Sequence, residues 1–312
     1  MSLRCLFVLL LGLSLSISAR AEAPKILATI KPVQLIAAAI LDGIDTPAVL
    51  LPPGASPHSY AMRPSERRAL EQAQRVYWIG PDLEMFLGDI LAQRDVAVEL
   101  MDIDGLTVRP QAQSSSFADD KKDSGAYAHE HDHDHQHAPG TLDAHIWLSP
   151  ANALTIARFM AQDLATFYPD QQDALQANLQ AFETRLGLLD SQIRARTQPL
   201  QDKPYFVFHD GYGYLEDHYG LRPRGIFSLS HEVPPGARHV NLLRQQLQNA
   251  GPSCVFSEPQ FTPRLVDSLT QGLPVTLGEL DPLGTDIAVS AQGYEQLLAD
   301  LAEQLGGCLE KI

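Results

Sequence analysis

From residue 25 onward, short apolar runs alternate with stretches whose apolar residues recur at helical spacing. Residues 25–30 predict a strand, 35–40 a helix and 46–51 a second strand, which Pro52-Pro-Gly54 ends sharply. A helix begins near Pro64-Ser-Glu66, where proline suits the first turn. Residues 75–79 predict a third strand, 83–92 a helix and 96–101 a fourth strand. This β-α-β-α order predicts a mostly parallel sheet covered by helices.

The second half repeats that grammar. Residues 204–208, 221–227, 253–256 and 273–277 predict strands, with helices at 212–219, 237–248 and 263–271, and a last amphipathic helix at 292–305. Between the halves, Ser149-Pro150 starts a helix that runs to about Phe167, with Ser149 suited to its N-cap. Tyr168-Pro-Asp170 punctuates it. Then Leu175, Leu179, Phe182, Leu186, Leu189 and Ile193 recur at spacings of 4, 3, 4, 3 and 4, one apolar stripe on a helix roughly 40 Å long. The expected architecture is α/β: two Rossmann-like lobes, each a mostly parallel sheet flanked by helices, joined by one rigid helix.

Two segments fall outside this pattern. Residues 1–21 have a basic start at Arg4, an apolar run and Ala19-Arg-Ala21, the form of a cleavable secretory leader. Loss of Arg4 and Arg20 with it moves the net charge from −15 to −17, which disfavours nucleic acid and anionic membranes as partners. The organisation expected is thus a leader at 1–21, an N-terminal lobe at 22–168, the linking helix at 169–198 and a C-terminal lobe at 199–312. The mature chain is expected to be soluble, exported to the periplasm of a Gram-negative cell, and monomeric. Only Cys254 and Cys308 remain after processing; in an exported chain such a pair reads most simply as a disulfide adding about 2–5 kcal/mol, with a paired-thiolate metal site as the alternative.

The second exception, residues 111–140, is polar and too long for an ordinary connection. It carries His129, His131, His133, His135 and His137 at alternate positions among acidic residues, a composition able to bind zinc weakly; an inert solvated insertion is the alternative. Such a tract cannot fix a coordination geometry. Better candidates follow the strands, because open α/β sheets bind ligands beyond the carboxyl ends of their strands. His58 follows the second strand, His209 directly follows Tyr205-Phe-Val-Phe208, and Asp281 follows Leu277-Gly-Glu-Leu280, while His145 stands in Asp143-Ala-His-Ile-Trp147. Three imidazoles and a carboxylate suit a tetrahedral Zn²⁺. His218, His231 and His239 read as surface or structural residues.

The blocks Leu51-Pro-Pro-Gly-Ala-Ser-Pro-His58, Met62-Arg-Pro-Ser65, Trp78-Ile-Gly-Pro81, His145-Ile-Trp-Leu-Ser-Pro150, Phe208-His-Asp-Gly-Tyr212 and Asp281-Pro-Leu-Gly284 resemble the ZnuA-like zinc-binding proteins of bacterial ABC importers. The resemblance spans the whole mature chain. It implies two α/β lobes, Zn²⁺ held between them as transported cargo, and delivery to a membrane permease driven by a cytoplasmic ATPase. It puts the metal ligands on His58, His145 and His209, an acidic cleft position on Asp281, and a disulfide on Cys254 and Cys308. Some relatives carry Glu before the first histidine; Pro57 has no ligating group, which leaves Asp281 or water as the fourth ligand. Histidine at 209 favours Zn²⁺ over Mn²⁺. A periplasmic zinc buffer, an adhesin-like protein and a zinc hydrolase using Asp281 or Glu258 as base are the competing readings; the hydrolase lacks a His-Glu-x-x-His motif.

Overall fold

The computed structural model describes residues 25–111, 142–228, 237–260, 266 and 269–312. The leader, the five alternating histidines from His129 to His137, and His231 lie outside the described residues, as does most of the helix expected at 263–271. Two parallel four-stranded sheets form the frame. The first has the order β2-β1-β3-β4, with β1 Ile26–Ala28, β2 Ala48–Val49, β3 Arg75–Trp78 and β4 Ala97–Glu99; the second has the order β6-β5-β7-β8, with β5 Tyr205–His209, β6 Gly225–Ser228, β7 Ser253–Ser257 and β8 Val275–Glu279. The strand order is the same in both, so both sheets set the loops after their strands on equivalent edges.

Helices cover these sheets: α1 Lys31–Ile40, α2 Pro64–Gln72, α3 Gly88–Leu91, α4 Pro150–Leu164, α5 Gln172–Thr197, α6 Gly213–Tyr219, α7 Ala237–Ala250 and α8 Gly293–Leu309. Ser149 caps α4, its hydroxyl accepting from the Asn152 amide at 3.2 Å. The apolar stripe of α5 meets α1, α4 and α8: Leu175, Leu179, Phe182, Leu186 and Ile193 are buried and Leu189 partly so, whereas its neighbour Leu188 is 63% exposed. One face of a 26-residue helix is therefore core and the rest is surface. Its polar residues fasten it to its neighbours: Asn178 Nδ2 donates to the carbonyls of Ile40 and Asp42 at the end of α1, and Arg185 pairs with Glu295 of α8 at 2.6 Å. One contiguous apolar core runs through both lobes, with a smaller cluster around Phe206, Phe227 and Leu243.

The structure moves the bounds of several expected elements. The strand expected at 273–277 runs instead over Val275–Glu279, and the one expected at 221–227 over Gly225–Ser228, because Pro274 and Pro223 lack the N–H that a strand ladder needs. The helix expected over 83–92 breaks into a 3₁₀ turn, Met85–Leu87, and the short α3. Here the wholly buried Glu84 turns inward: it accepts from the amides of Ile79 at 3.0 Å and Gly80 at 3.1 Å and from the Thr29 hydroxyl, tying the ends of β1 and β3 together. Burial pushes its carboxyl up to about 7.

Cys254 in β7 and Cys308 in α8 form a disulfide closing 54 residues of chain. It pins the last helix, which packs on α1, α5 and β8, to the middle of the second sheet. A loop of that length corresponds to about 4 kcal/mol of lost unfolded-state entropy. Replacing both cysteines by serine should lower unfolding stability by about that amount; denaturant titration that gives the same midpoint with and without the bond would contradict it.

Candidate metal centre

Each lobe contributes histidine to one point between the sheets. His58 arrives on the turn after β2, where the Ala55 amide bonds to the Pro52 carbonyl and Gly54 takes a φ of 75°. Prolines 52, 53 and 57 limit the freedom of that turn. His145 follows the antiparallel bridge between Pro110 and Leu142 and leads into the 3₁₀ turn Ile146–Leu148 that starts α4. His209 is the last residue of β5. His145 and His209 are 5% and 3% exposed, and His58 is half-buried.

The rings meet through their Nε2 atoms. His145 Nε2 lies 3.3 Å from both His58 Nε2 and His209 Nε2. Behind two of the rings stand buried carboxylates. Asp143 Oδ1 contacts His145 Nδ1 at 2.8 Å and also accepts the His145 amide at 3.0 Å, so a single oxygen fixes backbone and ring together. Glu258, at the end of β7, contacts His209 Nδ1. Burial pushes the Glu258 carboxyl well above the ordinary carboxylate range, opposed by a hydrogen bond with Tyr212 and reinforced by the charge of Asp281. A cation on Nε2 draws such a pair into the form in which Nδ1–H donates to a carboxylate. With Nδ1 protonated, each Nε2 presents a lone pair toward the others, and lone pairs at 3.3 Å repel unless a cation joins them.

The spacing fits that cation. Two nitrogens bound at 2.0–2.1 Å to one tetrahedral Zn²⁺ stand about 3.4 Å apart. Trp147 and Tyr212 flank the cluster, their rings 5.2 Å from His145 and 5.8 Å from His209. Ser56, Pro57, Pro282 and Leu283 complete a largely apolar wall around it. His58, His145 and His209 are the group of potential ligands that comes together among the described residues.

Asp281 is not brought into this cluster. Its Oδ1 accepts from the Leu283 amide at 3.0 Å and from Gln260 Nε2 at 3.2 Å, and its Oδ2 from the Thr285 amide at 2.6 Å. It closes the Asp281-Pro-Leu-Gly284 turn, and this local role explains aspartate at that position. Glu258 contacts His209 through Nδ1, while Nε2 of the same ring meets His145. Its position after β7 obeys the same strand-end rule that singled out His209, and Asp143 stood visible two residues before His145. His218 pairs with Asp190 at 2.6 Å on the surface, as expected of a structural histidine.

Gly211 supplies the remaining condition. A Cβ there would lie 2.2 Å from His209 Nε2, so only glycine lets the loop after β5 pass beside the ring.

Residues 26–308 match the family described as zinc-uptake complex component A, periplasmic, or ZnuA. A high-affinity zinc uptake system protein of Yersinia pestis is 39% identical, over 91% of this chain and 91% of that protein, and one of Haemophilus ducreyi is 37% identical over 91% and 93%. Among solved structures, the periplasmic zinc-binding protein TroA of Treponema pallidum superposes with a TM-score of 0.74 at 18% identity, covering 92% of this chain and 99% of that one. That likeness extends to the fold.

Gly211→Ala should weaken divalent-ion binding by about tenfold or more, the usual size of an outer-shell disturbance. Titration against a competing chelator, read beside thermal unfolding of the metal-free protein, measures this. Wild-type affinity in a folded variant would show that His209 has room to spare.

Proposed function

The chain belongs to the ZnuA family of periplasmic zinc-uptake components, and from that premise we propose that it captures Zn²⁺ between its lobes and hands it to the permease of an ABC importer with its cytoplasmic ATPase. The family is one of solute-binding transport proteins, and Zn²⁺ is cargo, to be held tightly and then released. His58, His145 and His209 are the proposed ligands, each through Nε2. One observation carries the reading: the Nε2 atoms of His58 and His209 each stand 3.3 Å from that of His145, with buried carboxylates behind His145 and His209.

The chemistry of this donor set supports zinc over harder ions. Three neutral imidazoles suit Zn²⁺, whereas Mn²⁺ prefers oxygen ligands. Because Asp281 spends its oxygens on backbone amides and Gln260, water takes the fourth position. An exchangeable ligand suits a carrier, since a fully protein-closed tetrahedron is the form of structural zinc. Among the described residues no helix is long and apolar enough to cross a membrane. The described chain reaches the permease as a peripheral partner, and the ion leaves when the lobes are drawn apart.

That separation must break defined contacts. Trp147 Nε1 donates to the Pro282 carbonyl at 2.8 Å, and the Tyr294 hydroxyl donates to the Trp147 carbonyl at 2.6 Å. Both bonds lie behind the cluster and join the segment of His145 to the second lobe.

Alanine at position 58, 145 or 209 should each reduce zinc affinity at least a hundredfold, measured by competition with a chelator at fixed pH. Tight one-to-one binding retained in all three variants would eliminate the proposed site. The alternating histidines are assigned a separate, weaker role: raising zinc concentration near the cleft. Deleting residues 128–137 should lower the number of ions bound and leave one tight site, which equilibrium dialysis can count. Loss of the tight site would promote the tract from accessory to ligand.

A further inference from the structure

The two sides of the His-rich segment meet beside the metal centre. Pro110 and Leu142 form an antiparallel bridge, and the Asp143 amide donates to the Arg109 carbonyl at 2.9 Å. From this join the Arg109 side chain crosses to the second lobe. Its Nη1 lies 3.2 Å from Asp143 Oδ2, its Nε lies 3.4 Å from Asp217 Oδ2 on α6, and its guanidinium stacks 5.8 Å from the centre of the Tyr214 ring. The Tyr214 hydroxyl accepts from the Arg109 amide at 3.1 Å and donates to the Asp143 carbonyl at 2.9 Å. α6 makes room for this crossing with glycine: a Cβ on Gly213 would lie 0.9 Å from Arg109 Nη1.

Asp143 divides its two oxygens. Oδ2 faces Arg109, and Oδ1 holds both the ring and the amide of His145. Its side chain is 3% exposed, so its charge depends on the guanidinium for compensation. The route runs from α6 of the second lobe, through Arg109 and Asp143, to the Nδ1 of one ligand.

We propose that Arg109, seated against Gly213 of α6, is a positioning residue for the zinc site, and that it couples the contact between the lobes to the aim of His145. The proposal rests on the three-histidine reading above. With Arg109 in its seat, Asp143 is held by its counter-ion and turns His145 Nε2 toward the cluster. When the lobes part, the guanidinium leaves α6, Asp143 loses its fixed partner, and His145 loses its orientation at the moment the ion must depart. Arg109 also joins the root of the His-rich segment, so whatever pulls on that segment pulls on the same residue.

Gly213→Ala tests the seat without replacing Asp143, Arg109 or any ligand. Gly213 opens α6 outside the left-handed region, so alanine is compatible with its backbone and improves helix propensity. Zinc affinity should fall about tenfold in both Arg109→Ala and Gly213→Ala, each compared as a folded protein whose thermal unfolding without metal is still cooperative. The double variant should bind no more weakly than Arg109→Ala alone, because both act on one contact. Arg109→Lys should recover part of the loss, and the visible spectrum of Co²⁺-loaded Arg109→Ala should differ from wild type, a shift that a purely structural role would not cause. Wild-type affinity in either single variant, or additive losses in the double, overturns the inference. His145→Ala, run alongside, separates the two levels: wild-type binding there defeats the three-histidine reading itself, whereas its loss beside an unaffected Arg109→Ala defeats only the coupling.

Discussion

Two imidazole nitrogens stay within 3.3 Å of a third only when something outside the cluster fixes the rings. In this protein the restraint comes from carboxylates buried behind the rings. Asp143 holds His145 by ring and amide at once, and Glu258 holds the Nδ1 side of His209. Both acids are nearly inaccessible to solvent, which makes their orientation costly to lose. The arrangement needs material from both lobes: His58, His145 and Asp143 stand on one, His209 and Glu258 on the other.

The fold supplies that convergence by repetition. Both sheets are parallel with the same strand order, so each delivers its strand-end loops to one edge, and α5 runs along both lobes with one apolar face. The lobes are not merely tethered. They share a contiguous core, exchange hydrogen bonds through Trp147, Tyr214 and Tyr294, and carry the disulfide that fixes the last helix. A cation bound at such a junction touches both halves, and opening the junction acts directly on its ligands. Transport demands that connection between tight capture and release.

Several features were legible before any coordinates. The 4-3-4-3 stripe of α5 is local and periodic, so Leu175 to Ile193 announced both the helix and its buried face. Ser149-Pro150 announced the start of α4 through capping chemistry alone. The strand-end rule found His58 and His209, and the even cysteine count found the disulfide. Proline set two strand starts later than the apolar runs suggested: Pro223 delays β6 to Gly225 and Pro274 delays β8 to Val275. In residues 83–92 the helical pattern lost to Glu84, whose hydrogen bonds to the loop after β3 outweigh one more turn.

Spacing along the chain and the chemistry of the side chains were enough to read the element types, the ligand chemistry and the three candidate histidines. Which way each carboxylate faces was settled by packing. Asp281 turns back to the amides of Leu283 and Thr285, while Glu258 crosses 49 residues of chain to reach His209 and Arg109 crosses 108 to reach Asp217. A carboxylate chooses among amides, imidazoles and guanidinium groups by proximity and burial. Those are properties of packed surfaces, and no local pattern in the chain records them.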